Sequence, residues 1–160
     1  MQPAQFRRIA GQWVTGVAVV TAVDASGEPC GMTMSAVTSL SLEPPQFLIC
    51  VDQNARTLGA LTASGSFCIN YLAEDQQSLA IAFARPGGER FQSLKYHAGE
   101  TGLPVLDGVI AHVECKLNAA HPGGDHVIVV GDAVAGAVNG GRPLGYFSGA
   151  YRRVGEELGR

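Results

Sequence analysis

The stretch Val17–Val23 (VAVVTAV), followed by Asp24–Gly27 (DASG) and then Pro29–Thr33 (PCGMT), decides how this chain is read. The first run is nearly all β-branched or small, crowded at Cβ, and bounded by a turn signal, which is the pattern of a buried strand. Asp24 and Gly27 supply turn chemistry, and the second extended run completes a hairpin. Working outward, further strands are expected at Ser39–Leu42, Gln46–Val51, Ser66–Tyr71, Val109–Ala119, His126–Val134 and Pro143–Phe147, separated by Gly, Pro, Asp and Asn. Phe6, Ile9, Ala10 and Trp13 recur at helical spacing and predict an amphipathic helix that stops at Gly16. Its bulky residues, Phe6 and Trp13, are expected to pack on the chain's own core, a dimer contact being their other use. Asn54 is placed to cap a short helix carrying Leu58 and Leu61, and Glu74 and Asp75 precede another with Leu79, Ala82 and Phe83. Ala84–Pro104, rich in glycine and charge, reads as a long mobile loop. Strands outnumber helices without βαβ alternation, which argues for a mainly β, antiparallel barrel with a few peripheral short helices.

Length and composition bound the function. At 160 residues the chain fits one domain, 1–160. Charged residues make up 16%, against about 25% in an average soluble protein, and 21 residues are glycine. With a net charge of −3 and no basic cluster longer than Arg7-Arg8 or Arg152-Arg153, the chain offers no electrostatic footprint for nucleic acid or an anionic membrane. No apolar run approaches the ~18 residues that span a bilayer, and the basic start is not followed by a signal-peptide core, so a cytoplasmic location is expected. Cys30, Cys50, Cys68 and Cys115 lie far apart in or beside apolar segments, as reduced thiols do.

Familiar catalytic signatures are missing: no dinucleotide-binding glycine motif, no P-loop, no nucleophile elbow and no paired-histidine zinc helix. His112, Cys115, His121 and His126 have loosely zinc-like spacing, but residues three apart on a strand face opposite ways, so no metal is expected. More informative is Gly31–Pro45, where a strand end meets a run of Ser and Thr hydroxyls. Such groups bind a flat polar-edged ring or a phosphate without presenting charge, although turn-forming serines alone also give this composition. A second patch, Asp52–Thr57, joins a strand to a helix start, where backbone N–H groups, the Thr57 hydroxyl and Arg56 can converge on a phosphate. An ordinary capped helix with a solvated arginine reads the same way.

Together these segments resemble a known family. Gly16–Thr21, Gly31–Ala36 (GMTMSA), Ser39–Pro45 (SLSLEPP), Cys50-Val51, Gly65–Asn70, Gly123–His126 (GGDH) and Pro143–Tyr151, in this order and spacing, resemble the flavin reductases that serve as small components of two-component flavin monooxygenases. The likeness covers about residues 6–151. It implies an FMN-binding split barrel, a homodimer, and hydride transfer from NADH or NADPH to FMN or FAD, with reduced flavin passed to a partner monooxygenase. By position, it implies that Thr33, Met34, Ser35 and Ala36 border the isoalloxazine ring, with Ser39 and Ser41 nearby. It assigns Asp52, Asn54 and Thr57 to the ribityl chain and phosphate, with Arg56 at a position that varies within the family. Arg85, Arg90 and Phe91 are implied at the phosphate or adenine end, His126 beside the nicotinamide as the catalytic residue, and Tyr151 close to it. Two other uses fit the same resemblance: a flavoprotein that holds FMN tightly and acts on another small molecule, and a flavin-binding module without catalysis.

Overall fold

The computed structural model describes residues 1–85, 87 and 90–156. Pro86, Gly88 and Glu89 of the expected loop, and residues 157–160 of the expected domain, lie outside the described residues. In chain order the elements are α1 (Pro3–Ala10), β1 (Thr15–Gly16), β2 (Ala18–Val23), β3 (Pro29–Met34), β4 (Val37–Leu42), β5 (Pro45–Asp52), α2 (Arg56–Ser64), β6 (Ser66–Tyr71), α3 (Gln77–Ala84), a 3-10 turn (Arg90–Ser93), β7 (Tyr96–Ala98), β8 (Pro104–Leu106), β9 (Ala111–Gly123), β10 (His126–Val138), β11 (Leu144–Phe147) and β12 (Ala150–Arg153). Among the described residues the architecture is mainly β with three short α-helices, and every strand pair is antiparallel. A seven-stranded sheet in the order β3-β2-β6-β9-β10-β5-β4 carries a three-stranded sheet (β1-β11-β12) and a two-stranded one (β7-β8).

The opening hairpin forms as expected. Val20 pairs with Met32 and Val23 with Pro29, while Asp24 and Gly27 close the turn, Gly27 at a positive φ of 84°. The nearly continuous apolar run of β2, broken only by Thr21, has a simple cause: this strand is buried on both faces. Ala18, Val20 and Ala22 enter one core with Ile49, Val51, Leu61 and Phe67, whereas Val17 and Val19 enter a second with Leu72, Phe83, Leu106 and Leu144. Alternation along a strand thus feeds two cores from one segment.

Four points differ from the sequence expectation. The first helix ends at Ala10, short of Trp13, and Phe6, Ile9 and Trp13 are 62%, 55% and 78% exposed, so this stripe does not pack on the chain's own core. Asn54 does not cap α2; Ala55 stands at the cap, with no side-chain hydrogen bond. The 84–104 segment is not a structureless loop, since it holds the 3-10 turn and β7, which pairs with β8. Long-range polar anchors fix it: buried Thr21 donates to the Pro104 carbonyl at 2.6 Å, Asn70 receives the Leu106 N–H at 2.9 Å, and buried Glu114 receives the Glu100 and Thr101 N–H groups. Such partners leave no local signature. Lastly, β9 and β10 run to 13 residues each, longer than expected, with bulges at Val130/Gly131 and Ala133/Ala135. The first bulge lies beside Gly131, where any Cβ would stand 2.5 Å from Phe67 Cζ, so glycine lets the aromatic ring lie against β10.

No described helix is long and apolar enough to cross a membrane. All four cysteines are free thiols.

Candidate functional site

Two clefts flank the C-terminal end of β3. The first, of about 530 Å³, lies between Pro29–Thr33, the start of α2 (Asn54–Thr57) and the segment after α3, including Phe83, Arg85, Gly87, Arg90 and Phe91. The second, of about 560 Å³, is bounded by Ser35, Val37, Ser39, Phe47, Tyr71, Ile110, Pro143 and Leu144. Thr33, near the end of β3, lines the first cleft and Ser35, in the bend just after it, lines the second, so one strand end serves both clefts.

The first cleft favours an anion. Three arginines border it, and α2 begins without a side-chain cap or an acidic residue in its first turn, leaving its N-terminal N–H groups and dipole unopposed. Thr57, almost fully buried, sits in that first turn. Arg90 is held in place by a 3.2 Å hydrogen bond from Nη1 to the Gly31 carbonyl and by the Phe83 ring, 5.6 Å from its guanidinium carbon. Phe83, Phe91 and Tyr96 form an edge-to-face chain at 5.3 and 5.2 Å that carries this wall. Arg56 differs, because its Nη2 lies 2.5 Å from Asp24 Oδ2. That pairing lifts the Arg56 pKa, while hydrogen bonds from Ser26 and Arg56 hold the Asp24 carboxyl well below the usual carboxylate range.

The second cleft suits a flat, largely apolar ring with polar edges, given Phe47, Tyr71 and Val37 beside the Ser35 and Ser39 hydroxyls. Burial pushes the Tyr71 phenol up to about 12, so it is neutral at physiological pH. Cys30, in the wall of the first cleft, has its thiol pushed up by burial, which disfavours the thiolate. Among the described residues no group of His, Cys, Asp and Glu is arranged to hold a metal.

The expected site residues divide between these places. Thr33, Asn54, Arg56, Thr57, Arg85, Arg90 and Phe91 line the first cleft; Ser35 and Ser39 line the second. The Thr33 hydroxyl is already committed to the Ala80 carbonyl at 2.7 Å, which ties α3 to β3. Met34 turns its side chain into the core, so only its backbone faces outward. The Ala36 carbonyl receives the Cys50 N–H at 3.1 Å, and Ser41 sits beyond the β4 bulge opposite Gln46. Asp52 accepts the Asn54 N–H at 2.8 Å, a turn-shaping contact, and pairs across the sheet with His126. His126 begins β10, with Nδ1 2.7 Å from Asp125 Oδ1, and adjoins the Asp52–Asn54 turn without lining either cleft. The His126 hydrogen bond lowers the Asp125 pKa. Tyr151 packs edge-on against Tyr146 at 5.4 Å, on the partly buried margin of the second core and outside both clefts. The sequence reading missed the aromatic walls, Phe47, Tyr71 and Phe83, because apolar residues in strands and helices look like core. It missed Asp24 because turn chemistry already accounted for that residue.

An antiparallel β fold carrying a basic cleft and an aromatic one suits an anionic, ring-bearing ligand, and the chain belongs to the flavin reductase like domain family, whose model matches residues 10–155. Among its relatives, a Rhizobium meliloti (strain 1021) protein named as a probable flavin reductase is 40% identical over 93% of this chain, which spans about half (48%) of that longer protein. The reductase subunit HsaB of a flavin-dependent monooxygenase from Rhodococcus jostii (strain RHA1) is 36% identical over 96% of this chain and 79% of its own length. The structure of the NADH:FAD oxidoreductase SgcE6 from Streptomyces globisporus C-1027, in complex with NAD and FAD fragments, superposes with a TM-score of 0.92 at 34% identity, covering 98% of this chain and 94% of that one.

Proposed function

We propose that this chain is a flavin reductase that takes a hydride from NADH, or from NADPH, and delivers it to FMN or FAD, releasing reduced flavin to a partner monooxygenase. The observation that carries this reading is the pair of clefts about the end of β3, one built for a phosphate and one for a flat ring, in a chain of this family. The flavin and nicotinamide rings supply the redox chemistry. What the protein contributes is placement. The α2 N-terminus, Thr57, Arg85 and Arg90 hold the phosphate end, while Asn54 and the turn shaped by Asp52 follow the ribityl chain. Backbone groups of Thr33, Met34 and Ala36, with the hydroxyls of Ser35, Ser39 and Ser41, border the ring; Phe91 supports the phosphate or adenine end. His126 is the catalytic residue, oriented by Asp125 and set beside the nicotinamide, with Tyr151 close to it. No charged acid–base pair is needed, because holding two rings in contact is itself the catalytic contribution.

The open antiparallel sheets are in keeping with a split barrel formed by one domain. The exposed apolar set Phe6, Ile9, Trp13, Leu40 and Leu42 supports a homodimer, since an unshielded group of this kind marks a contact surface. A cytoplasmic location agrees with four unpaired thiols. The test is NADH and NADPH oxidation by the purified chain with and without added FMN, FAD or riboflavin. A flavin-dependent rate is expected; no flavin-dependent rate with either nicotinamide overturns the proposal. Protein that stays yellow after dialysis would mean flavin is held as a prosthetic group and not passed on.

A further inference from the structure

We propose that Asp24 sets the affinity of the first cleft for the phosphate of the flavin, by competing for the guanidinium of Arg56. The inference rests on the flavin reading above and concerns a residue outside the segments that define it. Arg56 lines the cleft at the first position of α2, but its Nη2 is 2.5 Å from Asp24 Oδ2. The two partners are held very differently. Asp24 is fixed by its own turn, with Oδ1 receiving the Ser26 N–H at 3.0 Å, the Ser26 hydroxyl at 2.5 Å and the Glu28 N–H at 3.1 Å. Arg56 reaches it with a single Nη from a side chain that is 61% exposed, and its remaining N–H groups are free to turn toward a ligand.

A stationary carboxylate facing a movable guanidinium has two consequences for an arriving phosphate. One of the cleft's three cations is already neutralised, and the carboxylate itself repels the dianion. Binding through Arg56 therefore means exchanging one ion pair for another, whereas Arg90, held by a carbonyl and a ring, offers its charge without a competitor. Asp24 thus tempers the cleft toward a ligand that must leave again, as a diffusible flavin does.

Asp24→Asn tests this, because the amide oxygen can still accept from Ser26 and Glu28 and keep the turn. By fluorescence titration FMN should bind about two- to fivefold more tightly, the range spanned by removing one exposed ion-pair competitor. Riboflavin, which has no phosphate, should be unaffected, and FMN affinity should become more sensitive to salt. In an Arg56→Gln background Asp24→Asn should give a smaller gain, the part due to carboxylate repulsion alone, and an undiminished gain there overturns the competition for Arg56. Should Asp24→Asn not fold, Asp24→Ser retains an acceptor for the turn and takes its place. Weaker FMN binding in the variant would mean Asp24 orients Arg56 for the phosphate, and equal shifts for FMN and riboflavin would mean a general change in the cleft; either overturns the inference while leaving the flavin reading intact. Failure of the unaltered protein to bind FMN or riboflavin overturns both.

Discussion

Glu114→Gln tests how the wall of the first cleft is supported. Glu114 is fully buried on β9, and its two oxygens have three donors: Oε1 receives the Glu100 N–H at 2.9 Å, and Oε2 receives the Thr101 N–H at 2.9 Å together with the Thr101 hydroxyl. A glutamine of the same shape has one acceptor oxygen and one NH₂, so one backbone N–H must face a donor. Hydrogen bonds to a charged group contribute about 1.5–3 kcal/mol and neutral ones about 0.5–1.5, while a stranded N–H costs about 1–3. The Thr101 hydroxyl can turn to accept from the new NH₂, which recovers part of the loss. A net cost of about 2–4 kcal/mol follows, equal to a fall of about 4–16 °C in Tm for a chain of this size. The turn at Gly99–Thr101 follows β7, whose Tyr96 packs on Phe91 and through it on Phe83 in the cleft. FMN affinity should therefore weaken as well, by less than in a direct cleft mutant. Thermal melting by circular dichroism and hydrogen exchange at Glu100 and Thr101 are the readouts. An unchanged Tm with unaltered exchange at those two amides would refute the reasoning, since it would mean the carboxylate adds nothing to holding the turn.

His126→Ala should raise the apparent nicotinamide constant or lower turnover, with flavin affinity nearly intact, in steady-state NADH oxidation and FMN titration; an equal loss of flavin binding would remove His126 from the catalytic role. Gly131→Ala should destabilise the fold by about 1–3 kcal/mol, because the new Cβ would stand 2.5 Å from Phe67 Cζ and 2.8 Å from Cys115 Cβ in a filled core; urea denaturation measures it. Asp24 and Asp132 both have lowered carboxyl pKa values, the first through Ser26 and Arg56, the second through Asn118 and Gln46. Their stabilising contribution is present above the unfolded value near 4 and is lost as pH falls through the lowered folded values, so Tm should be flat near neutrality and decline below about pH 4. The Asp132→Asn variant should show a shallower acid decline.

The strand ladder was legible because its cause is local. Val17–Val23, Ser66–Tyr71 and the turn at Asp24–Gly27 carry their geometry in β-branching and turn chemistry, and the structure has them within a residue or two. Part of the first cleft was legible for a related reason: Asn54, Arg56 and Thr57 surround a strand-to-helix junction, whereas Arg85, Arg90 and Phe91 were implied only by the family resemblance. The packing of the first helix was not legible. Phe6, Ile9 and Trp13 show one apolar face whether it meets its own core or another surface, and sequence periodicity does not distinguish the two.

Sequence alone determined a mainly β chain, its opening hairpin, the family resemblance and several of the residues around the first cleft. Tertiary structure decided what those residues are free to do. It engaged Thr33 with Ala80, turned Met34 into the core, held Arg56 against Asp24, and brought Phe83 and Phe91 together as a wall. It also ordered β7 and β8 through Thr21, Asn70 and Glu114, which lie distant in sequence from the segment they anchor. The physical reason is one of range: propensity and turn chemistry act between near neighbours, while a hydrogen bond or ion pair across 14 to 83 residues exists only once the sheet has brought its partners together.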